Sequence, residues 1–363
     1  MVIRDIVNYL EKLAPKSLQE SYDNSGLLVG DDDAEVSKVL ISLDVTEDVV
    51  EEAVNKSCGL IISHHPIIFG GLKSLTGKSY VERTVISAIR NNIALYAIHT
   101  NLDNIYTGVN FRIADKLGIS NPRILAPRSG LLKKLIVFVP HANRDELLNA
   151  MFKAGAGAIG GYSDCSFSSS GKGTFTGGVD TDPYVGTPGE RHTEPEDRIE
   201  VVVEKHTLKG VLKAMLEAHP YEEVAYDVYA LENSYDKVGS GMLGMLNEPV
   251  YALDFIKKIK EIFGGVVRYT PLVKDYVQRI AWCGGSGSFL MQNAIAAQAD
   301  IFITSDIKYH QFFDAEKKII VADIGHFENE QYTIDLISDL LKEKFPTFAF
   351  LLTETNTNPI NYL

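Results

Sequence analysis

The sequence predicts an α/β protein in which two similar α/β modules form one domain and a ferredoxin-like α+β domain is inserted between them. Three observations support this fold class. Short apolar runs alternate with amphipathic helices, the same strand–helix–strand layout occurs twice, and the segment between the two copies has a different element order. The predicted boundaries are 1–129 for the first module, 130–232 for the insert and 233–363 for the second module.

The first module is clearest at residues 38–65, where an apolar strand (39–43), a helix (about 46–56) and a second strand (59–63) precede a histidine pair. The second copy, at 279–306, has a strand (280–283), a Gly-rich turn, a helix (about 287–298) and a strand (300–304). Placing Val39 on Ile280 puts His65 on Asp306 without a gap. Short continuous apolar runs are typical of strands buried on both faces, so we predict parallel sheets.

Each module is predicted to continue with a helix and a third strand that ends in polar residues. The segment 93–103 ends in His99 and Asp103, and the segment 318–330 ends in His326 and Glu330. In open parallel sheets, ligands bind outside the carboxyl ends of the strands. We therefore expect the polar residues of both modules to meet at one site.

The segment between the modules has its own order of elements. It predicts a strand (132–141), a helix (144–155), a Gly/Ser/Thr-rich stretch (155–195), a strand (198–205), a helix (207–219) and a strand (222–231). That order fits a ferredoxin-like βαββαβ unit if the Gly-rich stretch contains a strand or hairpin.

Composition excludes several classes of protein. The formal net charge is -13, whereas proteins that bind phosphate backbones carry clustered Lys and Arg. No apolar stretch is long enough to span a bilayer, and the N-terminal residues are apolar at helical spacing instead of forming a signal peptide. The three cysteines are widely spaced, and none belongs to a C-x-x-C motif. We therefore predict a cytoplasmic protein without disulfides.

The polar residues at the strand ends have the chemistry of a two-metal site. A histidine pair ends one strand, and two further pairs place a histidine four residues before a carboxylate, a spacing that shares one helical face. Either pair could instead be an ion pair or a cap, so one pair alone would be weak evidence. Together they suit two divalent ions bridged by a carboxylate, with zinc first and manganese, iron, cobalt or nickel as alternatives. The predicted ligands are His64, His65, Asp103, His326 and Glu330.

Three further residues are candidates for orienting the ligands or for proton transfer. Asp306 and His310 form a D-x-x-x-H pair at the position that His65 holds in the first module. His99 or His310 would move protons, because imidazole titrates near neutral pH. A surface polar cluster is the alternative explanation of the Asp306–His310 pair.

The stretch CGGSGSF at 283–289 lies at a predicted strand-to-helix turn. Backbone amides at a helix N-terminus can hold a phosphate, which makes this turn a candidate substrate-binding loop. A purely steric role for its glycines is the alternative. The candidate residues are Gly284, Gly285, Ser286 and Gly287.

The sequence resembles the GTP cyclohydrolase I type 2 homologue family, also called the interacting-factor-three-like family. The matching stretches are SYDNSGLLVG, LIISHHPIIF, HTNLD, CGGSGSF, FITSD and GHFENE, at 21–30, 60–69, 99–103, 283–289, 302–306 and 325–330. They cover both outer segments, and the insert resembles that of the longer family members, which is similar to PII signalling proteins and CutA.

The resemblance implies functional residues and partners. Matched motif by motif, the five predicted ligands correspond to the family's metal ligands, and His99 lies beside them. The family pattern implies two divalent ions in a cavity that faces the inside of a toroidal homohexamer. It also implies a small-molecule substrate, such as a nucleotide, because the family name derives from GTP ring opening.

Three functions are compatible with these features. The first is a metal-dependent hydrolase that acts on C–N bonds of a nucleotide or a related small molecule. The second is a non-enzymatic metal chaperone or storage protein. The third is a regulatory protein whose inserted domain senses a ligand, since its long Gly-rich loop resembles a mobile binding loop.

Overall fold

A computed structural model describes all of residues 1–363. Four short 3-10 helices, Lys16–Leu18, His141–Asn143, Ser288–Leu290 and Tyr309–Ala315, accompany the regular elements. Numbered in chain order, the helices and strands are α1 Ile3–Leu13, β1 Gly26–Val29, β2 Lys38–Ser42, α2 Glu47–Asn55, β3 Leu60–Ser63, α3 Tyr80–Arg90, β4 Ala94–Ala97, α4 Thr100–Asn104, α5 Val109–Leu117, β5 Ser120–Ser129, β6 Leu132–Pro140, α6 Arg144–Lys153, β7 Ser166–Thr176, β8 Arg191–Glu204, α7 Leu208–Ala218, β9 Tyr226–Ala230, β10 Ser234–Tyr251, α8 Ala252–Phe263, β11 Arg268–Tyr269, β12 Tyr276–Ser286, α9 Met291–Ala296, β13 Ile301–Ser305, β14 Ile320–Asp323, α10 His326–Glu330, α11 Thr333–Lys344 and β15 Ala349–Leu352.

The chain folds into two compact units. The outer unit combines Met1–Pro127 with Lys237–Leu363, and the inner unit is Arg128–Asp236. None of the helices has the length and apolar character that crossing a bilayer requires. The mixed α/β class predicted from the sequence is confirmed.

The outer unit contains two sheets of similar construction. The first has the strand order β1-β4-β3-β2-β15, and the second has the order β11-β14-β13-β12-β10-β5. Three consecutive strands run parallel in each sheet, β2–β3–β4 and β12–β13–β14, and an antiparallel strand follows at the edge. Val39 pairs with Leu60, and Ile280 pairs with Ile301, so the gap-free alignment of the two modules holds in three dimensions.

The two modules exchange strands, a feature that the sequence pattern does not predict. β15, from the C-terminal segment, pairs in parallel with β2 of the first module. β5, from the N-terminal segment, lies beside β10 in the second sheet. Because each sheet contains strands from both outer segments, the two modules form one unit.

The parallel strands are buried because they lie between helices. Each residue of β3, β4, β13 and β14 is buried. α2 begins after Thr46, whose hydroxyl accepts a hydrogen bond from the Val49 amide at 3.3 Å. Val49, Val50 and Ala53 of this helix then pack into the core of the first sheet. This packing holds α2 against the first sheet.

The structure corrects two predictions about the second module. β12 continues to Ser286, and α9 begins only at Met291 after the 3-10 turn, so Gly284, Gly285 and Ser286 belong to a strand end and not to a helix N-terminus. A 3-10 helix, Tyr309–Ala315, stands where an α-helix was predicted before the third strand. Both deviations follow from tight backbone turns that the periodicity of apolar residues does not encode.

The inner unit has the β–α–β–β–α–β order that the sequence predicts for this segment. Its four strands form an antiparallel sheet in the order β7-β8-β6-β9. The Gly-rich stretch supplies β7 and the connection to β8. Side chains from α6 and α7 cover one face of the sheet, and its core includes Leu147, Met151, Val211 and Met215.

Candidate metal centre

The five predicted ligands lie at strand ends from both modules. His64 and His65 directly follow β3, and Asp103 lies in α4 after β4. His326 and Glu330 are the first and last residues of α10, which follows β14. Beyond β3 the parallel pairing continues, since the amides of His64 and His65 donate to the carbonyls of Ser42 and Leu43 at 3.2 and 2.9 Å. The backbone thus holds both histidines although β3 has ended.

One carboxylate oxygen of Glu330 belongs to a first group of ligand atoms. Oε1 of Glu330 lies 3.7 Å from His64 Nε2, and Oδ1 of Asp103 lies 3.6 Å from the same nitrogen. These distances are too long for hydrogen bonds but suit three atoms around one ion. The group consists of one imidazole and two carboxylates.

The other oxygen of Glu330 belongs to a second group. Oε2 lies 2.9 Å from His65 Nε2 and 3.0 Å from His326 Nε2, and the two imidazole nitrogens are 3.3 Å apart. The ligand atoms of each group lie within 4.8 Å of one another. Glu330, which is 3% exposed, is shared by both groups, as a carboxylate that bridges two ions must be.

Each histidine of the two groups is oriented through its other ring nitrogen. The Nδ1 atoms of His64, His65 and His326 lie 2.9, 2.8 and 2.7 Å from oxygens of Ile98, Asp44 and Asp306 respectively. An Nδ1–H that donates to each oxygen leaves the Nε2 lone pair facing the centre. This arrangement is the usual support of metal-binding imidazoles, because it fixes both tautomer and ring orientation.

Two of the supporting carboxylates were not found from the sequence. Asp44 follows β2, so the rule that functional groups lie after parallel strands would have identified it. Asp23 lies in the loop before β1, where no spacing or periodicity marks it. Its only signal is its place within the stretch 21–30 that carries part of the family resemblance.

His99 lies beside the two groups and is held by Asp23. Its Nδ1 is 2.8 Å from Asp23 Oδ1, and Asp23 Oδ2 accepts a hydrogen bond from the Thr100 amide at 3.0 Å. Although burial acts in the opposite direction, hydrogen bonds from His99 and Thr100 hold the pKa of Asp23 well below its usual range. The His99 ring is 5.2 Å from that of His64, so its other nitrogen reaches the same centre.

The donor atoms fit divalent ions. His64 Nε2 and Asp103 Oδ1 are buried and have no hydrogen-bond partner. Burying such polar atoms costs free energy unless a bound cation interacts with them. Burial and the neighbouring charge of Glu330 raise the pKa of Asp103 to about 8. A cation between the carboxylates of Asp103 and Glu330 would remove the repulsion between their negative charges. Oxygen and imidazole ligands suit zinc, manganese, iron, cobalt or nickel.

Metal binding should release protons near neutral pH. Burial lowers the pKa of His65, but hydrogen bonds with Asp44 and Glu330 raise it to about 9. Burial also lowers the pKa of His326, but the charge of Glu330 and hydrogen bonds with Asp306 and Glu330 raise it to about 11. Because these rings and Asp103 hold protons that an ion must displace, apparent affinity should increase as pH rises from about 6 to about 9. Calorimetric titration in buffers of different ionisation enthalpy measures the protons released. An affinity independent of pH over this range would contradict this expectation.

Gly285 has a steric role at the centre. Its φ is +63°, and a Cβ placed on it would lie 2.4 Å from Oε1 of Glu330. The end of β12 therefore passes the Glu330 carboxylate at a distance that only glycine permits. Of the four residues predicted to bind phosphate, three lie in a strand, so no helix N-terminus is available at Gly284, Gly285 and Ser286 to bind an anion.

Asp306 and His310 have different partners in the structure. Asp306 leaves β13 with a φ of +58° and contacts His326. His310 lies in the exposed 3-10 helix, where its ring contacts those of Tyr309 and Phe313. The i, i+4 spacing places two side chains on one face only within an α-helix, and this segment is not α-helical. His310 does not line the cavity at the candidate metal centre, and a role for it in proton transfer stays a prediction.

A cavity of about 520 Å³ opens onto the ligands. His65, Asp103, His326 and Glu330 line it, as does His99. Gly284, Gly285 and Ser286 also line the cavity, although Gly287 does not. A small molecule in this cavity would therefore contact the metal centre and the end of β12.

Comparison with known proteins extends these findings. The sequence matches the Duf34/NIF3 (NGG1p interacting factor 3) family over residues 1–359. It is 36% identical over 364 residues to a "GTP cyclohydrolase 1 type 2 homolog" of Halalkalibacterium halodurans, covering 99% of this chain and 98% of the relative. A Bacillus subtilis protein of the same name is 36% identical over 367 residues, with coverage of 99% and 98%.

The fold is also similar to solved structures. The crystal structure of a Bacillus cereus protein related to NIF3 superposes with a TM-score of 0.87 at 34% sequence identity, covering 100% of this chain and 99% of that one. Sequence and fold thus agree over nearly the full length, and the residues of the candidate metal centre lie within the matched region. The chain belongs to the Duf34/NIF3 family.

Proposed function

We propose that this protein is a metal-dependent hydrolase that acts on a C–N bond of a small heterocyclic molecule, with two divalent ions at the candidate metal centre. Zinc is the first candidate metal. One ion would be held by His64, Asp103 and Glu330, and the other by His65, His326 and Glu330. When bound, two such ions supply Lewis acidity and activate water.

The observation that carries this proposal is the shared carboxylate. Each oxygen of Glu330 faces its own set of imidazole or carboxylate atoms, and two atoms of the first set are buried without partners. A cavity opens onto these residues, which a catalytic site requires for substrate and a storage site does not. The names of the relatives, which refer to GTP cyclohydrolase, favour a ring-opening hydrolysis.

Residues of the chain supply the orientation and the proton transfer. Asp44 and Asp306 hold the rings of His65 and His326, so the ligand nitrogens need no rearrangement before reaction. The Nδ1–H group of His99 donates a hydrogen bond to the ionised Asp23. Its Nε2 is therefore available to accept a proton from a reacting group. This is the arrangement of a general base oriented by a carboxylate.

Replacing His99 should reduce turnover and leave metal content largely unchanged. For His99→Asn we expect a loss of about 10²–10⁴ in turnover, the usual contribution of a general base. Asp23→Asn should also reduce turnover, because the amide no longer fixes the His99 tautomer that has its proton on Nδ1. Metal content and steady-state rates of both variants, measured on the same preparations, test this expectation. A His99→Asn variant that loses its metal in step with activity would make His99 a ligand instead.

The proposed activity is tested by removing and restoring the metal. Purified protein would be assayed against purine and pterin bases, nucleosides and nucleotides, and hydrolysed products would be identified by mass spectrometry. We expect turnover that is lost on chelation and restored by the metal found in the native protein. Equal turnover before and after complete demetallation would contradict the proposal. Exchangeable metal without turnover on the panel would favour the metal-handling function.

We also propose that the protein assembles as a toroidal homohexamer and that its inner unit is a PII/CutA-like domain. The hexamer is supported by the family resemblance alone. The PII/CutA likeness is supported by the βαββαβ order and the sheet order β7-β8-β6-β9. Light scattering on the purified protein distinguishes a hexamer from smaller assemblies.

Deleting the inner unit should leave the metal centre intact. Each proposed ligand belongs to the outer unit, and the deletion would join β5 and β10, which are neighbours in one sheet. A variant with residues 130–232 replaced by a short Gly/Ser linker should retain about two ions per chain. If its metal binding is intact but its turnover responds differently to added metabolites, the inner unit is regulatory. Loss of metal from a folded deletion variant would contradict this expectation.

A further inference from the structure

The walls of the metal-centre cavity carry no lysine or arginine. Its charged lining consists of Glu20, Asp44, Asp103 and Glu330 together with the histidines of the centre. Proteins that bind polyphosphates place Lys, Arg or clustered backbone amides against the phosphate oxygens. The cavity offers none of these cationic side chains, and the end of β12 is not a helix N-terminus.

Two bound ions would not create a surplus of positive charge. The four lining carboxylates balance two divalent ions, and Asp23 and Asp306 add two more negative charges directly behind His99 and His326. A cavity with this balance repels a ligand that carries several negative charges and accepts a neutral one, because field lines concentrate within a low-dielectric cleft.

Exposed aromatic rings surround the same cavity. Tyr22, Phe69 and Phe289 all line it and are 61%, 51% and 64% exposed. The rings of Tyr22 and Phe69 are 6.1 Å apart, and that of Phe69 is 6.0 Å from His99. Large apolar side chains exposed together mark a ligand site more often than single ones do. Flat rings are well suited to stacking against the faces of a heterocycle.

The neutral polar groups of the lining are mostly engaged. The side chains of Asn104, Asn110 and Asn358 hydrogen-bond within the protein. Ser286, by contrast, is exposed at the end of β12. It follows Gly285, the residue that lies against the Glu330 carboxylate. Its hydroxyl can both donate to and accept from the edge of a ring.

We infer that the substrate is a planar heterocycle without a polyphosphate group, such as a free base or a nucleoside, held against the side chains of Tyr22, Phe69 and Phe289. This inference rests on the proposed function, since it names the substrate class of the same site. Ring faces would contact the three aromatic side chains, and the ring edge would meet Ser286 and the metal centre. A nucleoside triphosphate would bind more weakly than its nucleoside because of its negative charge.

The test is calorimetric binding to the metal-loaded protein with matched probes: guanosine against GTP, and adenosine against ATP. We expect the nucleoside of at least one pair to bind about tenfold or more tightly than its triphosphate. Phe69→Ala and Phe289→Ala should each weaken nucleoside binding by about tenfold, the effect of losing one stacking ring. Tyr162→Ala removes an aromatic side chain that is 79% exposed and lies outside the cavity, so it should leave nucleoside binding unchanged.

A charge variant tests whether the lack of a cationic side chain is what weakens triphosphate binding. Ile360→Lys, at a lining residue that is 53% exposed and lies outside the proposed ring contacts, should strengthen triphosphate binding by about tenfold and leave nucleoside binding little changed, because it adds the missing cation. Metal content is measured for every variant.

The outcomes separate this inference from the proposed function. Tighter triphosphate binding accompanied by metal-dependent turnover would overturn the inference and leave the hydrolase intact. Failure of both members of each pair to bind would also overturn it. Nucleoside binding that depends on Phe69 and Phe289, without any turnover, would support the inference and contradict the hydrolase.

Discussion

Glu330→Gln should abolish binding of both ions, the largest effect expected of any single substitution. The amide keeps the size of the side chain but removes the charge that both ligand groups share. Loss of supporting residues around a metal site usually costs 10–100-fold in affinity, so loss of the bridging ligand should exceed about 100-fold. Competition titration against a metal-binding dye measures this change for each ion.

The metal-free Glu330→Gln protein should also be less stable. The Nε2 atoms of His65 and His326, which are 3.3 Å apart, would lose the carboxylate that both of them now contact. Breaking a buried charge pair costs about 3–5 kcal/mol, to be measured by denaturant unfolding. Glu328→Gln is the matched control, because Glu328 is a buried glutamate of the same helix outside both ligand groups. Retention of two tightly bound ions by Glu330→Gln would refute the bridging role.

Gly285→Ala should lose most of its metal although no ligand is altered. A methyl group 2.4 Å from Glu330 Oε1 must displace the carboxylate or the end of β12. The positive φ adds about 1–2 kcal/mol of backbone strain. We expect metal affinity to fall by at least about tenfold, as for disturbed support of a metal ligand, and we would measure it with the same dye competition.

Gly118→Ala is the control that separates strain from displacement. Gly118 has a φ of +70° and no atom within 4 Å of an added Cβ. This variant should therefore show a modest loss of stability with full metal content. Equal metal content in the two variants would show that Gly285 serves only the backbone turn.

The convergence of the five candidate ligands was predictable because the sequence shows where parallel strands end. His64 and His65 follow an apolar run, and Asp103 and Glu330 each lie four residues beyond a histidine. Strand ends converge in such sheets, so residue type and place in the chain were enough. The same logic would have found Asp44, whereas Asp23 contacts His99 from a loop whose path depends on tertiary packing.

Other features depend on contacts that the sequence pattern does not encode. The glycines at 284 and 285 were compatible with a phosphate loop or with a steric role, and only the distance from Gly285 to Glu330 distinguishes the two. Asp306 and His310 have helical spacing, but a positive φ at Asp306 turns the chain before a helix can form. The exchange of β5 and β15 between modules involves pairings across more than a hundred residues.

The central claim is that Glu330 lies between two metal ions. It is tested most directly by metal analysis with mass spectrometry on protein purified without added metal or affinity tag, beside the His326→Ala/Glu330→Ala double variant. We expect about two divalent ions per wild-type chain and a near-complete loss in the variant. If the wild-type protein stays free of metal after saturation with zinc, manganese, iron, cobalt and nickel, the claim is wrong.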